Sequence, residues 1–237
     1  MKKLLIFSLA IVVLGCKNEK QTNGKLNVVT TTSMITDLVK NIGGEHINLQ
    51  GLMGSGVDPH LYKASEGDVT KLSSADIIFY NGLHLEGKLV EVFEKMKNKK
   101  TIPIGEALDK NTLIGSDYFA SNYDPHIWFN IDYWMQATQF VTKKLSEAIP
   151  EHKAVFEANG AAYTKQLESL KTKLTATIET LPKEQRILVT AHDAFNYFGK
   201  AFNFEVVGLQ GLSTATEAGV QDVQKLSAFI IEKKVKA

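Results

Sequence analysis

Cysteine is almost missing from this sequence: Cys16 stands alone. A single thiol rules out an intrachain disulfide and any zinc site built from cysteines. Arginine occurs once, at Arg186, and the only basic clusters are short lysine runs such as KNKK (97–100). With a formal charge of +1, that balance argues against nucleic-acid binding. Long hydrophobic runs are lacking too. The stretch from Leu4 to Leu14 is too short to cross a bilayer as a mature helix.

What is there begins with MKKLLIFSLAIVVLGC, two lysines followed by an apolar run, the pattern of an export leader over 1–15. Val13-Leu14-Gly15-Cys16 looks like the lipobox of bacterial lipoproteins, in which the cysteine becomes the lipid-bearing N-terminus. Cys16 is therefore the expected lipidation site, and an anchor accounts for a lone cysteine better than a free thiol does. Residues 16–25 are polar and aperiodic, a tether between membrane and domain. Loss of Lys2 and Lys3 with the leader turns the formal charge from +1 to −1.

From residue 26 the chain alternates strand and helix. LNVVTTT, INLQGLM, ADIIFYNG and TIPIGEAL read as strands; 34–44, a segment from about 66, and 85–98 read as helices. Ser65 and Asp68 have capping-box spacing, and Asn130 is a plausible N-cap for a helix over 131–149. A long helix is expected over 151–181. A strand (186–191), a helix (192–202), a strand (205–211) and a last helix (219–231) follow. The pattern predicts an α/β protein of two lobes, each with a mostly parallel sheet flanked by helices, joined by one long rigid helix. Ligands of such sheets bind at loops after the carboxyl ends of strands.

Histidines occupy such loops. VDPH (57–60) and YDPH (123–126) both set a histidine behind Asp-Pro. Proline fixes its own φ and biases the aspartate to extended geometry, so the histidine is aimed by a stiff step. The carboxylate is in reach of nearby backbone or of the imidazole itself. His192, in TAHDAF, follows an apolar strand. His60, His126 and His192 are thus the candidate metal ligands, and three neutral imidazoles suit Zn²⁺, Mn²⁺, Fe²⁺ or Cu²⁺ rather than Mg²⁺ or Ca²⁺. His84 is expected near the same cleft, His46 and His152 in solvent, and Glu217 as a cap or surface acid.

VVTTTSMITDLVKNIGG, GVDPHLYKASEGDVTKLSSADIIFYNGLHLEG, YDPHIW, VTAHDAFNYFGKAF and GLSTATEAG together resemble, in order and across 26–237, the metal-binding solute-binding lipoproteins of zinc and manganese ABC importers. The resemblance implies an N-terminal lobe over 26–150, a connecting helix over 151–181 and an incomplete C-terminal lobe over 182–237. It implies His60 and His126 as ligands from the first lobe and His192 from the second. The fourth ligand of that family is acidic and is expected beyond residue 237. Zn²⁺ is favoured, since manganese-dedicated members usually carry glutamate at the third position; Mn²⁺ is the alternative. The implied partners are a divalent metal ion, an ABC permease and, through the lipid, the outer side of a bacterial membrane, with the chain acting as a monomer. Two other functions share these residues. A zinc hydrolase needs a general base, for which Glu86 or Asp193 are the candidates, though HExxH is missing. A surface adhesin would use the lobes as a scaffold.

Overall fold

The computed structural model describes residues 24–96, 100–116 and 123–236. The expected leader, Cys16 and nearly all of the tether lie outside them. Four parallel strands form the first sheet: β1 (Leu26–Thr30), β2 (Ile47–Gly51), β3 (Ile77–Tyr80) and β4 (Lys100–Pro103), in the order β2-β1-β3-β4. The order reverses between β1 and β3, so a crevice opens at the carboxyl ends of these two strands. Helices α1 (Ser33–Gly43), α2 (Glu66–Ser74) and α3 (Lys88–Lys95) connect the strands. Helix α2 starts where Ser65 and Asp68 cap each other reciprocally, and Asn130 caps α4 (Ile131–Ala148) through the Asp132 and Tyr133 amides.

Apolar side chains at helical spacing on α1 (Ile35, Leu38, Val39, Ile42) and on α4 (Ala137, Val141, Leu145) are buried on one face of the sheet. Leu72, Ile78, Leu89 and Phe93 close the other face. The long helix α5 (Lys153–Glu179) has 27 residues, about 40 Å at 1.5 Å per residue. It begins after a 3-10 turn at Pro150–His152 and crosses α4 closely at Gly160, where a Cβ would meet Thr142 Oγ1 at 2.3 Å. The remaining elements are β5 (Ile187–His192), α6 (Asn196–Phe202), β6 (Glu205–Gln210) and α7 (Val220–Lys233), with β5 and β6 paired in parallel. An apolar hollow of about 480 Å³ lies where Leu170 and Leu174 of α5 approach Leu188, Phe195, Phe198 and Phe204.

Some boundaries differ from the expected ones. TIPIGEAL is strand only to Pro103; a 3-10 turn over Ile104–Ala107 follows, because the Gly105 amide donates to the Asn81 carbonyl instead of extending the ladder. The helix expected from His192 begins at Asn196, and His192 is the last residue of β5. His46 and His152 are half-buried and not in open solvent: their rings stack at 4.2 Å beside Phe156, where the turns ending α1 and preceding α5 meet.

Candidate metal centre

Both Asp-Pro-His steps fold in the same way. Asp58 Oδ1 accepts the His60 amide at 2.9 Å, and Asp124 Oδ1 accepts the His126 amide at 2.9 Å. Each is an Asx-turn, in which a side-chain carboxylate replaces a backbone carbonyl and turns the chain so that the histidine projects from it. The second turn goes further. Asp124 Oδ1 also accepts from His126 Nδ1 at 2.7 Å. A carboxylate can only accept, so Nδ1 carries the proton and the Nε2 lone pair faces outward, as a metal ligand requires. Asn81 holds the same turn from below: its Nδ2 donates to the Pro125 carbonyl at 2.9 Å.

The third histidine comes from the second sheet. His192 pairs with Gln210 across β5 and β6, and the Asp193 amide donates to the Gln210 carbonyl. The approach is so close that only glycine fits at 208, where a Cβ would lie 2.6 Å from the Asp193 nitrogen. His60, His126 and His192 thereby converge, each offering one ring nitrogen within 4.8 Å of the others. The Nε2 atoms of His60 and His126 are 3.2 Å apart. A tetrahedral zinc ion with bonds of about 2.0–2.1 Å spaces its nitrogen ligands at roughly 3.3–3.4 Å, so that edge already has coordination length. Ring centroids stand 5.0–5.6 Å apart. Two buried polar atoms here, His192 Nδ1 and Asp193 Oδ1, have no hydrogen-bond partner among the described residues.

Burial disfavours the protonated form of His60 and His192. Burial, reinforced by the neighbouring His126, pushes the His60 pKa down to about 4, with Asp58 pulling the other way. Burial and then His126 also lower that of His192. Neutral imidazole is the form that binds metal, so proton competition at this cluster is weakened at neutral pH.

The other candidates lie outside the cluster. Exposed His84 has φ 66° and lines a separate hollow with Tyr80, Pro103 and Glu106. Glu86 is buried beneath the loop: its carboxylate accepts from the Thr31 hydroxyl and the Asn81 and Gly82 amides. Burial pushes its pKa up to about 7 despite those donors. It staples the ends of β1 and β3 at the sheet's switch point. Burial raises the Asp193 pKa, and Asn196 and nearby His126 and His192 counter it. Glu217 is exposed. Residues to which the sequence reading gave no role are Asn81, Asn196, Tyr197 and Thr214, all bonded to the two histidine turns. All four lie within stretches that carry the family resemblance, but nothing local shows that they bond to the turns.

Comparison with known proteins gives these residues a setting. The family model for ZnuA, zinc-uptake complex component A periplasmic, matches residues 28–237. The chain is similar to the manganese-binding lipoprotein MntA of Bacillus subtilis (strain 168), 44% identical over 227 residues, covering 94% of this chain and 74% of that protein. It is also similar to the zinc-binding protein TroA of Treponema pallidum (strain Nichols), 45% identical over 222 residues, with 91% and 70% covered. The solved structure of the periplasmic zinc binding protein TroA from Treponema pallidum superposes with a TM-score of 0.86, over 89% of this chain and 76% of that one, at 45% identity. With a family model spanning nearly all described residues, and relatives this similar along most of their own length, the chain belongs to the ZnuA family of periplasmic zinc-uptake components.

Proposed function

We propose that the protein captures a divalent transition-metal ion outside the cytoplasm and delivers it to an ABC permease for import. His60, His126 and His192 are the protein's ligands, and Zn²⁺ is the preferred ion, with Mn²⁺ second. The observation that carries this reading is the meeting of three ring nitrogens within 4.8 Å, from three separate segments. No carboxylate joins the three histidines in that group among the described residues. Three imidazole ligands favour borderline-soft Zn²⁺ over Mn²⁺, which suits oxygen donors better. Similarity to both a zinc-binding and a manganese-binding protein keeps both ions in the test.

The protein is a binding component, not an enzyme. Its family is named for uptake. We further propose a lipid on Cys16 holding a monomer at the outer side of a membrane. The lobes run over 26–150 and 182–237, with the helical connector over 151–181 between them. A rigid connector limits closure to small shifts, so release depends on local loop movement when the permease docks.

Metal analysis of the purified chain, followed by titration with Zn²⁺ and Mn²⁺ in competition with a chromophoric chelator, tests this. One equivalent of ion, Zn²⁺ held more tightly than Mn²⁺, and loss of both in His126→Ala are expected. Tight binding that survives the loss of all three histidines would refute it.

A further inference from the structure

The two turn-forming aspartates also reach the second half of the molecule, and they do so unequally. Asp124 Oδ2 accepts from Asn196 Nδ2 at 3.1 Å, and the Asp124 carbonyl accepts from the Tyr197 hydroxyl at 2.8 Å. Tyr197 is fully buried, meets Tyr133 edge-on at 5.4 Å and belongs to the main core cluster. That crossing is part of the packed interior. Asp58 is bridged differently: its Oδ2 accepts a short hydrogen bond from the Thr214 hydroxyl, 156 residues away. Thr214 lies in the segment between β6 and α7, and Asp58 in the segment between β2 and α2. Both are half-buried and stand beside exposed residues: Ser55, Gly56 and Val57 on one side, Ala215 and Thr216 on the other. A charge-assisted bond between two such segments can open locally, whereas the Tyr197 contact opens only with the core.

We propose that Thr214 is a positioning residue and that its bond to Asp58 is the latch of the metal site. Closed, it fixes one oxygen of Asp58 while the other holds the His60 amide, so His60 stays aimed at the ion. Open, it lets the His60 turn move away while the buried Asp124 turn keeps His126 in place. Metal therefore enters and leaves on the His60 side. This rests on His60 being a ligand, as proposed above.

Thr214→Val keeps the shape of the side chain and removes the hydroxyl. The full chain, loaded with one equivalent of Zn²⁺, is mixed with excess chelator, and release is followed by stopped flow; association is measured separately. Loss of a hydrogen bond to a charged group is expected to speed release about tenfold. Association should change less than twofold, and Thr214→Ser should restore the parent rate. Release within twofold of the parent in Thr214→Val, with normal uptake, overturns the latch alone. Equal acceleration in Thr214→Ser also overturns it, because serine keeps the hydroxyl. Failure of the parent chain to take up Zn²⁺ overturns the proposed function, and the latch with it.

Discussion

The two Asp-Pro-His turns share their residues and their backbone hydrogen bond, yet they sit in opposite environments. Asp124 and His126 are 0% and 1% exposed, followed by Ile127 in the core; Asp58 and His60 are half-buried behind the exposed Gly54–Val57 loop. Asp124 is held by His126 twice, by Asn196 and by Tyr197, whereas Asp58 has the His60 amide and Thr214. One local motif thus serves as a fixed anchor in one place and as a movable arm in another. The difference lies in what packs around it. A transport protein needs both properties, since a site rigid on all sides binds well and releases slowly.

The largest expected effect separates the histidines. His126→Ala should abolish Zn²⁺ binding in a chelator competition, whereas His60→Ala should leave a weak, fast-exchanging site on His126 and His192. Equal damage from the two would erase the asymmetry. The aspartates come next. Second-sphere partners typically tune metal affinity by about 10–100-fold. Asp124→Asn is expected near the top of that range, with a lowered melting temperature, and Asp58→Asn near the bottom with melting almost unchanged. The reverse order in titration and thermal unfolding would show that exposure is a poor guide here.

Gly208→Ala probes the third ligand. A Cβ there meets the Asp193 nitrogen at 2.6 Å and the Gln210 carbonyl at 2.7 Å, backbone against backbone. Overpacking of this kind costs about 1–3 kcal/mol. Urea unfolding should register that loss, with metal affinity falling as His192 is displaced; an unchanged midpoint would mean the strands separate freely.

The smallest effect is on pH. The His60 pKa is about 4 in the folded chain and 6.5 as a free side chain. Between those values the unfolded chain binds a proton that the folded chain refuses, so stability is full above 6.5 and falls toward pH 4. Glu86 has the opposite sign. Its folded pKa of about 7 against 4.5 makes its contribution full below 4.5 and lost as pH rises to 7. In the metal-free chain, His60→Asn should flatten the acid-side loss, and Glu86→Gln the loss toward neutrality. Urea midpoints at pH 5, 6 and 7 would expose a missing slope in either.

Much of the scaffold was legible before any coordinates. The Ser65 and Asn130 caps, the alternation of strand and helix, and the stiff step before each histidine depend on neighbours a few residues away. The misread parts depend on distant ones. The strand after residue 100 stops early because Asn81 captures the Gly105 amide, and His46 meets His152 because the end of α1 lies beside the start of α5. The bonds of Thr214, Asn196 and Tyr197 could not be read locally, since their partners lie 72 to 156 residues away.

Chain order alone settled most of the strands and helices and how each Asp-Pro step aims its histidine, because caps and Asx-turns close over three or four residues. Packing settled that the three imidazoles meet at one point, and that Asp124 is sealed in the interior while Asp58 stays near the surface. Burial is a property of what surrounds a turn, and identical triplets cannot encode it.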